Sequence, residues 1–190
     1  MNQTMLETIT VISVIILLII LLPHITRLLI WLFKTNKFNS LGSSTQLRLI
    51  HQLYESVLQL SETKTGAIIT LVNKDNLDKL RTDGILINAN ISSLLIISIF
   101  NKKSPLHDGA LIIEGGKIKY VATYFKITQA SVNNKYGARH RAALGISEQS
   151  DSITIIVSEE TGGISIARNS KLTKVKINNL QEELIKILQD

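Results

Sequence analysis

Hydrophobic and polar positions divide the chain into an apolar head and a patterned body. Ile9 to Leu22 reads ITVISVIILLIILL without a charge, and a second apolar run, Leu28 to Phe33, follows Pro23, His24 and Arg27. A membrane span needs about 20 mostly apolar residues. The first run alone is short, so the pattern predicts one helix through both runs, kinked at Pro23. A cleaved signal peptide would want basic residues before the run and a small-residue site after it. Residues 1–8 carry only Glu7, while Arg27, Lys34 and Lys37 lie on the far flank. That asymmetry places the following chain on the cytoplasmic side of a single-pass anchor in the cell membrane. The competing reading is an amphipathic segment lying in the interface.

Residues 34–45, KTNKFNSLGSST, read as a polar linker. Residues 44–61 have helical periodicity through Leu47, Ile50, Tyr54, Val57 and Leu58, with Ser43, Ser44 or Thr45 as a cap. From Gly66 the period changes. GAIITLV (66–72) predicts a buried strand, and Asn73 to Gly84 is polar and turn-like. Ile85–Ile87 predicts a short strand, and Ser92 or Ser93 opens an apolar helix ending near Phe100. A strand from about Gly109 to Glu114 turns at Gly115-Gly116 and returns as KIKYVATYF. Residues 126–136 form a polar loop, and GARHRAALGIS predicts a helix. SITIIVS and GISIA make a second hairpin around EETG. Asn178–Gln189 predicts a closing amphipathic helix. The expected fold is α/β, a mixed sheet flanked by helices and preceded by one transmembrane helix. The expected domains are an anchor (1–33), a linker and connecting helix (34–62) and the mixed-sheet domain (63–190).

Composition narrows the chemistry. The chain has no cysteine, which excludes disulfides and thiolate metal sites. Its net charge of +6 could suit nucleic acid or anionic lipid. The lysines are scattered, and aromatic residues make up only 5%, too few for a base-stacking platform. Nucleic acid is therefore not an expected partner.

Three polar clusters adjoin buried strands: His107-Asp108-Gly109, Arg139-His140-Arg141, and Ser158 to Gly163. Singly, each is ordinary, because Asp-Gly is a common turn and an arginine pair is usually solvated. Together they hold a carboxylate with an imidazole, two guanidiniums and a glycine loop. These are the parts phosphoryl or nucleotidyl transfer requires, where charge neutralisation and alignment dominate. Helix residues are about 100° apart, so Arg139 and Arg141 diverge by roughly 200° if both are helical. Either the segment is extended at Arg139, or one arginine serves a ligand and the other braces the fold or a second subunit. There is no Gly-x-Ser-x-Gly elbow and no Walker loop.

PLHDGALII and GARHRAALGISEQSDSITIIVSEETGGISIA, at their spacing, resemble the diadenylate cyclase family, whose signatures are Asp-Gly-Ala and Arg-His-Arg. Here these are Asp108-Gly109-Ala110 and Arg139-His140-Arg141. The resemblance runs from about Gly66 to Ala167. It implies condensation of two ATP into cyclic di-AMP and two pyrophosphates, with Mn²⁺ or Mg²⁺ (Co²⁺ also serves), across a facing homodimer. It implies Asp108, Arg139 and Glu160 as catalytic residues and His107, Asp108 and Glu160 as metal ligands. Gly109, Ala110, Ala138, Arg139, His140, Arg141 and Ser158 would surround the nucleotide. Tyr124 would stack on adenine, and Ile87 and Asn88 would border the base pocket. The chain departs from the family pattern at Ala138 (usually Thr), Asn88 (usually Asp) and Leu94 (usually Glu). A nucleotide sensor of the same fold without activity is the alternative.

Overall fold

The computed structural model describes residues 3–32, 38, 40–130 and 136–189. Phe33, linker residues 34–37 and loop residues 131–135 lie outside the described residues. The chain divides into two compact units, residues 1–35 and 36–190.

The first unit is one helix, α1 (Gln3–Leu32), with Pro23 inside it. Ile9–Leu29 is long and apolar enough to cross a membrane, with a mean hydropathy of 2.7.

The second unit is built on β1 (Ala67–Leu71), β2 (Arg81–Asn90), β3 (Ala110–Glu114), β4 (Lys117–Phe125), β5 (Ile153–Val157), β6 (Ile164–Arg168) and β7 (Lys171–Val175). They form one sheet in the order β2-β4-β3-β1-β5-β6-β7. Only β1 and β3 run parallel, so the sheet is mixed as the hairpin pattern requires. The helices are α2 (Ser43–Glu62), α3 (Ser93–Phe100), α4 (Ala138–Gln149) and α5 (Leu180–Gln189).

Burial on both faces explains the near-continuous apolar runs of β1, β3 and β5. One face joins Ile69, Leu111 and Ile155 to α2, α3 and α5 through Leu53, Val57, Ile96, Phe100 and Leu184. The other joins Ile68, Ala110, Ile112 and Ile156 to Ala143 and Ile146 of α4. Thr70 and Thr154, paired across β1 and β5, satisfy one another in the core at 3.0 Å. In α2, Ile50 and Val57 are buried as the periodicity predicts, but Leu47 is exposed.

Two strands differ from the sequence reading. β2 is ten residues rather than three, because turn-type residues sit inside it. Asp83 (φ 56°), Gly84 (φ 102°) and Asn88 (φ 50°) are left-handed, and the pairing with β4 shifts between Leu86 and Ala89. β7 was not anticipated. It is a lysine-bearing edge strand joined to β6 by Asn169-Ser170, both with positive φ, a primed hairpin turn without glycine.

Candidate nucleotide site

The loop before β3 is knitted locally. Ser104 N donates to Asn101 O (2.7 Å), and His107 N donates to Ser104 O (3.3 Å). The His107 ring Nδ1 also meets Ser104 O at 2.7 Å. A carbonyl only accepts, so Nδ1 carries a proton, and in a neutral ring Nε2 is then the nitrogen open to a ligand. Asp108 is exposed, and Tyr124 Oη donates to its Oδ2 at 3.1 Å. That hydrogen bond, with the adjacent negative charge, raises the Tyr124 pKa above the phenol range and keeps it a donor.

Gly109 is required by geometry. Its φ is 99°, and a Cβ there would lie 2.8 Å from Ala122 C and Thr123 N. β3 and β4 approach this closely because Ala122 is a bulge residue with φ 52°.

Asp108, Gly109, Ala110 and Tyr124 border a mostly apolar pocket of about 160 Å³, with Ala138 and Arg139. Ala138, Arg139, His140, Ser158 and Glu160 border a second, polar pocket of about 100 Å³. Ala138 and Arg139 belong to both, so the two form one bipartite cleft.

α4 begins at Ala138, so Arg139 and Arg141 are both helical and the divergence expected from the helical period applies. Arg139 lines the cleft, while Arg141 is exposed and borders neither pocket. The N-cap is Gly137, with no side-chain cap bond, and the first-turn residues Ala138, Arg139 and His140 line the polar pocket. Arg139 Nη1 pairs with Glu159 Oε2 at 2.9 Å. Gly66 is the platform for that guanidinium, since a Cβ there would meet it at 2.8 Å. Burial, then Lys174 and Arg139, push the His140 pKa below the ordinary imidazole value. Tyr136 stacks on the His140 ring at 5.2 Å. His140 is thus a neutral wall.

The loop 158–163 is fastened to α2. Ser61 Oγ donates to Gly162 O at 2.6 Å, and Ser158 N bonds Gly163 O at 2.9 Å. Gly162 has φ 72°, and a Cβ there would lie 2.4 Å from Ser61 O. Gly162→Ala is expected to destabilise the second unit by about 1–2 kcal/mol, read as a lowered thermal midpoint.

His107, Ile87 and Asn88 border neither pocket. Ile87 packs against the core under α2, and Asn88 is exposed. The sequence pattern gave Gly66 and Tyr136 no place in the site, and it gave Glu159 a place in the Ser158 to Gly163 cluster without a role of its own. Glu159 sits inside the quoted Ser-Glu-Glu motif, which was its only signal.

Residues 54–172 match the family model described as DAC, DisA bacterial checkpoint controller nucleotide-binding. The chain belongs to the DAC family. A diadenylate cyclase of Listeria monocytogenes is 42% identical over 176 residues, 90% of this chain and 63% of that protein. One from Mycoplasma pneumoniae is 38% identical over 175 residues, 90% of this chain and 87% of that protein. This DAC chain thus spans under two thirds of the Listeria relative and most of the Mycoplasma one. The crystal structure of a double mutant of DacA from Staphylococcus aureus is 37% identical, with a TM-score of 0.74, covering 78% of this chain and all of that one. A hypothetical membrane spanning protein from Bacillus cereus is 36% identical, with a TM-score of 0.65, over 66% of this chain and 62% of that one. These likenesses agree with the mixed DAC sheet described above.

Proposed function

We propose that this chain is a diadenylate cyclase, condensing two ATP into cyclic di-AMP and two pyrophosphates. The observation that carries the reading is the bipartite cleft, with the Asp108 carboxylate at its apolar end and the α4 N-terminus at its polar end. An adenosine suits the apolar part beside Tyr124. The triphosphate suits the N–H groups of α4, with Arg139 and Ser158. Asp108 accepts the proton of a 3′-hydroxyl, and that oxygen forms a bond to the α-phosphorus of the other ATP. The bond from that phosphorus to the pyrophosphate oxygen breaks in line, and the step occurs twice. Arg139 and the helix N-terminus stabilise the charge that builds on phosphate.

The donor set fits a divalent ion shared with substrate. His107 offers Nε2, and Asp108 offers its exposed carboxylate. Among the described residues no three His, Cys, Asp or Glu side chains are grouped closely enough to hold a metal ion alone. Phosphate oxygens would complete the sphere, with Glu160 as a further ligand. Mn²⁺ or Mg²⁺ supplies charge neutralisation on the phosphates.

A cyclic product with two-fold symmetry calls for two facing copies, each holding one ATP. α1 anchors the protein in the cell membrane, and the second unit lies on the cytoplasmic side, as Arg27 and the lysines after α1 support.

Incubating the full chain in detergent micelles with ATP and Mn²⁺ is expected to yield cyclic di-AMP by chromatography. Activity per subunit should rise with protein concentration. ATP bound without conversion, with every divalent ion tried, would mark a sensor instead.

A further inference from the structure

Lys174 lies beyond the stretch matched by the family model, which ends at residue 172. It sits on β7, the strand that patterning did not anticipate. The register aligns Ile68 of β1 with Ile156 of β5, Ile156 with Ser165 of β6, and Ser165 with Lys174. Directly paired residues point to one face of a sheet. Ile68 and Ile156 lie in the core under α4, so Lys174 projects to the α4 face. α4 packs against β7 as well as β1, β5 and β6. The ammonium is near enough to His140, on the wall of the polar pocket, to disfavour its protonation.

That pocket is short of positive charge for a polyphosphate. Its lining sets one guanidinium, Arg139, against Glu159 and Glu160. Arg139 is already paired with Glu159. His140 is held neutral, and Arg141 borders neither pocket. Lys174 is exposed, and among the described residues it makes no ion pair. A lysine is a point charge on a flexible stem, which suits the terminal phosphates of a nucleotide.

We infer that Lys174 is a substrate-binding residue whose ammonium engages the outer phosphates of the nucleoside triphosphate in the polar pocket. The identity of that ligand rests on the cyclase reading; the position of the cation rests on the strand register.

The test compares ligands that differ in those phosphates. 3′-Deoxy-ATP lacks the attacking hydroxyl and cannot react, so its affinity is measured at equilibrium beside that of AMP, on the full chain in micelles. Lys174→Gln is expected to weaken 3′-deoxy-ATP roughly tenfold and to leave AMP within about twofold. Lys174→Arg should restore most of the loss. An unchanged 3′-deoxy-ATP affinity overturns the assignment. So does an equal loss for both ligands, which would mark a structural effect. Conversion of ATP by the unaltered chain is read separately. Its failure removes the cyclase reading while the affinity ratio still decides the role of Lys174.

Discussion

Asp108→Asn is expected to cut cyclic di-AMP formation by about a thousandfold or more while leaving ATP affinity nearly unchanged. A positioned general base contributes roughly 10²- to 10⁴-fold, and loss of a metal-facing charge adds to that. Asparagine keeps the shape of the side chain and an oxygen that accepts from Tyr124 Oη, so the mouth of the apolar pocket keeps its form. Gly109 and the Ser104 bonds to His107 are untouched, which preserves the turn. The check is product formation by chromatography beside equilibrium ATP binding on the same preparation. Turnover at the unaltered rate would remove Asp108 from the chemistry. Loss of binding and turnover together would make it a structural carboxylate.

Gly145→Ala is expected to be the most damaging single methyl in the second unit. In the middle of an exposed helix the change would favour folding by about 1 kcal/mol. Here the added Cβ would sit 2.1 Å from Lys126 O, 2.9 Å from Thr128 N and 3.0 Å from Ile127 C. These are backbone atoms, and Thr128 N is itself bonded to Arg141 O at 3.0 Å, so α4 and residues 126–128 would have to part. Overpacking of this kind costs about 3 kcal/mol or more, which exceeds the propensity gain. A net loss near 2 kcal/mol lowers the thermal midpoint by roughly 4–8 °C in a unit of this size. Ile127 also borders the apolar pocket, so adenosine affinity should fall in parallel. A midpoint at or above that of the unaltered chain would contradict this packing.

Local periods made much of this architecture legible. The apolar runs of β1, β3 and β5 read as buried strands because both of their faces are covered. The helical period implies that Arg139 and Arg141 diverge if both are helical, and the start of α4 at Ala138 removes the reading in which the segment is still extended at Arg139. What escaped was of two kinds. β7 shows only Leu172 and Val175 between lysines, so it lacks the alternation that marks a half-buried strand. Contacts between distant stretches left no local trace. Arg139 meets Glu159 across the cleft, Ser61 meets Gly162, and Asp75 and Asp151 each accept the backbone N–H of the other. Such pairs exist only once the sheet has brought the segments together. Ile87 and Asn88, assigned to the base pocket by resemblance, stand on β2 and line neither pocket.

The two rims of the sheet resist unwanted strand addition by different means. On β7 the deterrent is electrostatic, with Lys171 and Lys174 exposed along the outermost strand. On β2 it is conformational, since the kinks at Asp83, Gly84 and Asn88 spoil the straight ladder that an incoming chain would need. Concentrated electrolyte shields the first and leaves the second intact. Self-association in brine would therefore begin at the lysine rim, and a buffer of low ionic strength is the one in which both rims stay guarded.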